Sequence, residues 1–147
     1  MSENHDFEYS IKMKRIDNYK FEVDFGSDLI PNILTDEPDS LPGGEGKGPT
    51  ASMLLAAAVG NCLSASLTFC AAKKKVELIN LNTTVKFTRE RNKKGFWRIS
   101  KINVNLEPIV EDKEDSKFQR CIEMFEDYCI VTQSVKTGIP TEINLKI

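Results

Sequence analysis

The residues best suited to covalent chemistry in this chain are its four cysteines, which form two pairs of equal spacing. Cys62 and Cys70 lie eight positions apart, and so do Cys121 and Cys129. Zinc sites usually draw paired ligands from two to four positions apart, so we expect no metal. The single histidine, His5, lies in the N-terminal tail and leaves no internal imidazole to serve as a base. A nucleophile is therefore expected to be a thiolate that something other than histidine activates.

The predicted positions of the cysteines separate them. Cys129 falls where one helix breaks and the next begins, and the unpaired N–H groups at a helix start favour a thiolate. Cys62 falls within a long helix, where an arginine or the start of that later helix would have to lower its pKa. Cys70 and Cys121 sit in apolar stripes and are interpreted as core packing. Two interpretations stay open here: a Cys62–Cys129 redox pair, or four buried structural cysteines.

The elements around these cysteines predict one α+β domain over residues 1–147 with an antiparallel sheet. Period-two alternation of apolar residues predicts a hairpin over residues 7–13 and 19–25 whose apolar side chains face a core. Pro108 is expected to end the strand that contains Val104 and Leu106. The remaining predicted elements are a short edge strand at 29–34, a helix at 50–74, strands at 78–91 and 96–107, helices at 112–128 and 129–137, and a final strand at 141–147.

Composition limits the partners. Twenty basic residues against twenty-two acidic ones give a formal net charge of −2, so we expect neither nucleic acid nor membrane as a partner. Residues 51–72 are about long enough to cross a bilayer, but their serines, asparagine and many alanines favour a central helix buried in a core. The first nine residues are acidic and polar, with no apolar signal segment, so a reducing cytoplasmic location is expected.

Two segments resemble the signatures of the OsmC/Ohr family (osmotically inducible protein C and organic hydroperoxide resistance protein). The first is PTASMLLAAAVGNC, which ends at Cys62; the second is CIVTQSV, which begins at Cys129 and is followed by Gly138-Ile139-Pro140. The spacing of the cysteines and the order of the elements also match, so the resemblance covers nearly the whole chain. It implies an intertwined homodimer with antiparallel sheets around two long central helices, and active sites formed across the interface.

The resemblance also implies a chemistry. Cys62 corresponds to the peroxidatic thiolate, which attacks the O–O bond of an organic hydroperoxide and becomes a sulfenic acid. Cys129 corresponds to the resolving thiol, which condenses with it to a disulfide that a dithiol, such as a lipoyl group, or a small thiol reopens. No cofactor and no metal are implied.

The sequence departs from the family's reductase pattern at Ser52. There the pattern has a glutamate that holds an arginine against the thiolate; Arg15 is the candidate arginine, and Glu45 or Asp39 the candidate acid. Ile130 also replaces the proline that often follows the second cysteine. The alternative function is therefore a dimeric binding or redox-sensing protein without efficient peroxidase turnover.

Overall fold

The computed structural model describes residues 6–147, which places His5 outside the described residues. The chain divides into two compact units, one up to Leu54 and one from Leu55 to Ile147. Both contain antiparallel strands, and the helices belong mainly to the second, so the expected α+β class with antiparallel sheets is confirmed. The expectation of a single domain stays a prediction.

The first unit contains a three-stranded antiparallel sheet in the order β1-β2-β3. Its strands are β1 (Lys12–Asp17), β2 (Lys20–Asp24) and β3 (Ile33–Thr35). Asn18, in the tight turn between β1 and β2, has a φ of 43°, a left-handed conformation that asparagine tolerates better than most residues. The hairpin and the edge position of the third strand are thus confirmed, although β3 begins only after Pro31.

Two details of the hairpin prediction were wrong. The first strand starts at Lys12 rather than at residue 7, and its apolar side chains do not face a core. Tyr9 is 83% and Met13 58% exposed, and Val23 is the buried apolar residue of the hairpin. Alternation sorts side chains onto two faces of a sheet, but it does not supply the layer that would cover one of them.

A buried carboxylate organises the loop after β3. Asp36 is 2% exposed and accepts backbone N–H groups from Glu37, Glu45 and Lys47. The hydrogen bond from the Lys47 backbone is the main reason that the pKa of Asp36 lies below its usual value. Lys20 of β2 forms an ion pair with Glu45. These contacts fix the conformation of the long loop after β3, which has no regular secondary structure.

The second unit contains α1 (Ala51–Lys73) from Leu55 onward and a long hairpin of β4 (Leu78–Arg91) and β5 (Trp97–Val110). Thr50 caps α1, since its Oγ1 accepts the Met53 N–H at 3.2 Å. At Gly60 a Cβ would clash with Cγ2 of Val85. The close approach of β4 therefore accounts for a glycine inside a helix, where glycine is otherwise unfavourable.

The hairpin prediction holds, with one error at its end. The expected bulge near Ile99 is present, because Thr88 pairs with Lys101 while Arg89 pairs with Ile99. Pro108 does not end the strand: β5 continues to Val110, and Pro108 pairs with Leu81. Both strands of a two-stranded ribbon are edges, and proline is tolerated where its missing N–H faces outward.

The C-terminal region differs most from expectation. The helix predicted over 112–128 is shorter and broken, into α2 (Ser116–Met124) and a single 3-10 turn (Phe125–Tyr128), with Asp115 as its N-cap. Next comes α3 (Ile130–Thr137), with Cys129 at its N-cap position and Gly138 after its end at a φ of 82°.

The final strand predicted at 141–147 is absent; these residues are described, but they form no strand. Ile143 is 86% and Leu145 84% exposed. A strand requires an edge to pair with, which an alternating sequence cannot provide by itself.

The core of the second unit lies between α1 and the segments that carry the other two cysteines. Its fully or nearly buried members are Val59, Leu63, Leu67, Cys70, Cys121, Phe125 and Cys129. By length and composition α1 could also span a bilayer, but a soluble protein's core helix meets the same criterion. One face of α1 belongs to this core, and its role as a central helix stays a prediction.

Candidate active site: two cysteines at a helix start

The four cysteines meet as two pairs, each joining α1 to the C-terminal helical region. Cys62 and Cys129 are close enough to shift each other's pKa through a hydrogen bond, Cys70 raises the pKa of Cys121 in the same way, and all four are free thiols. Equal spacing on the two segments allows both pairs to form at once. Among residues 6–147 no three potential ligands cluster as a metal site would require.

The Cys62–Cys129 pair lies at the N-terminus of α3. Cys129 is the N-cap of this helix, in an extended conformation, and its Sγ donates to Oγ1 of Thr132 at 2.9 Å. The backbone N–H of Val131, in the first turn, points at Sγ of Cys62 at 3.4 Å. The two sulfurs thus share the unpaired N–H groups and positive dipole end of one helix.

The surroundings of Cys129 favour its ionised form. Burial is the largest single effect and raises its pKa, but hydrogen bonds with Cys62, Thr132 and Ser66, which favour the ionised thiol, together outweigh burial and leave the pKa of Cys129 below its usual value. The direction of this pKa shift is the one expected for a cysteine at a helix start.

Cys62 shows the opposite balance. Burial raises its pKa first, and the hydrogen bond to Cys129 raises it further, because Cys62 acts as the donor; the Val131 N–H opposes both. Access is also opposite, since Cys62 is half-buried whereas Cys129 is 0% exposed. The more acidic thiol is therefore the enclosed one, and the reachable thiol is its hydrogen-bond donor.

Two site residues escaped the sequence analysis. Ser66 lies one helical turn beyond Cys62, and Thr132 lies three positions beyond Cys129; both hydroxyls are buried. The sequence contains a signal for each. Ser66 is four positions after Cys62 and so lies on the same face of the helix, and Thr132 is three positions after the residue at the helix start, where a side chain can reach back to it.

The other predicted site residues lie in the first unit. Arg15 is on the exposed strand β1, and its Nε donates to the backbone carbonyl of Asn18 at 2.9 Å. Glu45 is paired with Lys20, and Ser52 lies in the first turn of α1. The role of Arg15 stays a prediction, and so does the choice of Glu45 or Asp39 as its anchor.

A cavity of about 520 Å³ lies within the second unit and reaches the thiol pair through Thr132, although neither cysteine of the pair lines it. Leu63, which follows Cys62 in the sequence, and Thr132, which contacts the Cys129 sulfur, form part of its wall. The other wall residues are mostly apolar and include Leu55, Val59, Ile102, Val104, Leu106 and Phe125. The cavity therefore favours an apolar ligand over a polar one.

The comparison with known families rests on this same part of the chain. A family model described as OsmC-like protein matches residues 44–144, which include both cysteines of the pair. The chain belongs to the OsmC-like family. A search of curated protein sequences finds no significant match.

Solved OsmC-like structures share the fold. An OsmC-like protein from Mycoplasma pneumoniae superposes with a TM-score of 0.72 at 19% identity, over 90% of this chain and 89% of the other. An OsmC-like protein of unknown function from Vibrio cholerae gives 0.73 at 16% identity, over 88% and 94%. An organic hydroperoxide resistance protein from Elizabethkingia anophelis gives 0.63 at 16% identity, over 90% and 91%.

Proposed function

We propose that this OsmC-like protein reduces organic hydroperoxides with the thiol pair Cys62/Cys129. The observation that carries the proposal is the contact of these two thiols at the N-terminus of α3, where Val131 donates to Cys62 and Thr132 contacts Cys129. Paired thiols that share a helix start are suited to reversible oxidation.

The solvent exposure and the relative acidity of the two thiols indicate which of them attacks first. Cys62 attacks because it is the thiol that solvent can reach, and the Cys129 thiolate takes its proton through the hydrogen bond between them. The Cys62 sulfur bonds to the terminal peroxide oxygen, the O–O bond breaks, and the departing alkoxide recovers the proton from Cys129 as an alcohol. Cys62 is then a sulfenic acid, and Cys129 is again a thiolate.

Resolution needs no further group. The Cys129 thiolate attacks the Cys62 sulfur, the S–S bond forms, and the hydroxide that leaves takes up a proton from the buffer to become water. A dithiol such as a lipoyl group then gives two electrons and two protons to the cysteines and closes to its own disulfide. A small thiol could act in two successive exchanges.

The substrate class follows from the cavity beside the pair. Its apolar wall favours a hydroperoxide with an alkyl or aryl group over hydrogen peroxide. The resemblance to an organic hydroperoxide resistance protein supports the same class.

We also propose a cytoplasmic homodimer in which α1 of each subunit is a central helix. The support is apolar surface that a lone chain leaves uncovered. Residues 141–147 alternate apolar and polar without a strand partner, and the alternating side chains of the N-terminal hairpin are exposed as well. Such surface is typical of an interface.

Turnover measurements on four proteins test the function. With cumene hydroperoxide and dihydrolipoamide, the wild type and Cys70→Ser should consume peroxide, and Cys62→Ser should consume none. Cys129→Ser should stall as a sulfenic acid that dimedone labels, or as a mixed disulfide. Equal losses in Cys70→Ser and the two pair variants would contradict the assignment.

A second function, redox sensing without efficient turnover, is favoured by two observations: the absence of a carboxylate at Ser52 and the raised pKa of Cys62. Stopped-flow oxidation of the reduced protein separates the two functions. Oxidation no faster than that of free cysteine at the same pH would favour the sensor, and faster oxidation would favour the reductase.

A further inference from the structure

The charges of this chain are strongly segregated. The end of the β4–β5 hairpin, residues 86–101 (the hairpin tip), carries seven of the twenty basic residues and one of the twenty-two acidic ones. The tip therefore has a formal charge of +6, and the rest of the chain −8, within a net charge of −2. The basic residues are Lys86, Arg89, Arg91, Lys93, Lys94, Arg98 and Lys101.

Two exposed aromatic side chains lie among these cations. Phe96 is 59% and Trp97 51% exposed. The guanidinium carbon of Arg91 lies 4.3 Å and that of Arg89 5.4 Å from the Trp97 ring centroid, and that of Arg98 lies 5.9 Å from the Phe96 centroid. Cation–π contacts thus hold each ring against positive charge: Trp97 shares one face of the ribbon with its strand partner Arg91, and Phe96 lies against Arg98, which belongs to the opposite face.

The backbone of the tip is well defined. Oδ1 of Asn92 accepts the N–H groups of Lys94 and Phe96, both at 3.0 Å, and Nη1 of Arg91 donates to the Gly95 carbonyl at 2.7 Å. The result is a narrow two-stranded end with one aromatic ring and its cations on each face.

Two features weigh against a nucleic acid as the occupant. Single-stranded nucleic acids are bound in grooves that follow the backbone, with bases stacked on open aromatic faces. The hairpin tip is a two-stranded ribbon and not a groove, and guanidinium groups lie over the rings of Trp97 and Phe96. Exposed rings bordered by arginine and lysine instead match the boundary between lipid headgroups and acyl chains, where aromatic side chains concentrate.

We propose that the hairpin tip docks on an anionic lipid surface. Phe96 and Trp97 would enter the interface, and the surrounding cations would contact the lipid phosphates. The sequence-based expectation of no membrane partner used the net charge, which averages the basic tip with an acidic remainder. Docking goes beyond the thiol chemistry and does not depend on it. It would nevertheless bring Ile99 and Lys101, which also line the cavity beside the thiols, toward a source of lipid hydroperoxides.

Trp97 is the only tryptophan, so its fluorescence reports on the tip directly. Vesicles of phosphatidylglycerol and phosphatidylcholine in equal amounts should co-sediment with the full-length protein and shift the Trp97 emission to shorter wavelength. Vesicles of phosphatidylcholine alone should do neither, and added salt should weaken the binding because exposed charges are screened.

Two triple variants with the same change in net charge make the test specific. Lys93→Gln/Lys94→Gln/Arg98→Gln should lower the partition coefficient about 100-fold, since each cation near an anionic surface contributes about fivefold. Lys73→Gln/Lys74→Gln/Lys75→Gln, at the end of α1, should leave it nearly unchanged. Thermal melting of both variants shows that each is folded.

Four results would overturn the proposal. They are failure of the wild type to co-sediment with anionic vesicles; equal losses in the two triple variants; an emission change with a single-stranded oligonucleotide but not with vesicles; and a concentration-dependent shift without lipid, which would mean that a second copy of the chain covers the tip.

Discussion

The hydroxyl of Thr132 should help to set the acidity of Cys129, and Thr132→Val tests this with little change in side-chain shape. Oγ1 of Thr132 is buried and lies 2.9 Å from the Cys129 sulfur, so it can donate to the thiolate once Cys129 ionises. A hydrogen bond to a charged group contributes about 1.5–3 kcal/mol, or about one to two pKa units. Cys62 and Ser66 still donate in the variant. We therefore expect the pKa of Cys129 to rise by about one unit, at the low end of this range.

The titration is best followed by the 13Cβ chemical shift of labelled cysteine, because Cys129 is closed to alkylating reagents. Thr137→Val is the matched control, since that hydroxyl bonds only backbone carbonyls of α3. In the proposed mechanism Cys129 receives the proton of Cys62, so peroxide reduction near neutral pH should also slow, by up to about tenfold. An unchanged Cys129 titration in Thr132→Val, or the same change in Thr137→Val, would refute the reasoning.

Three further perturbations have defined outcomes. Gly60→Ala should destabilise the fold by about 1–3 kcal/mol in urea unfolding, since its Cβ meets Val85, and adding Val85→Ala should restore part of the loss. Burial and the bond to Cys70 raise the pKa of Cys121 to about 12, so the unfolded chain loses this proton first. Stability should therefore fall above about pH 9, by up to about 1.4 kcal/mol per pH unit, and Cys121→Ala should flatten that slope. Asp36→Ala should accelerate hydrogen exchange of the three amides that bond its carboxylate, with other loop amides as the internal reference.

Local pattern predicted most of the elements of this chain. The bounds of β4 were correct, those of α1 were correct within one residue, and the bulge near Ile99 was found, because alternation and capping are encoded in neighbouring residues. Two predicted ends were misplaced. The strand continues past Pro108 because of where that proline lies in the strand pairing, and the helix starts later than Asp112 because Asp115 is the residue that caps it. The final strand depended on an edge that alternation cannot supply.

The thiol site was predictable in its principal residues only. The break before α3 identified Cys129, and the family resemblance identified Cys62. The contribution of Ser66 and Thr132, and the closure of Cys129 from solvent, arise from tertiary packing. The hairpin tip was overlooked for a different reason: a sum of charges over the whole chain hides the separation that β4 and β5 bring about.

The most direct test of the central claim is mass spectrometry of the reduced protein after one equivalent of cumene hydroperoxide. The account predicts a disulfide that links the peptides of Cys62 and Cys129, with Cys70 and Cys121 still reduced, and its complete reversal by dihydrolipoamide. A disulfide between Cys70 and Cys121, or oxidation spread over all four cysteines without a preferred linkage, would contradict it.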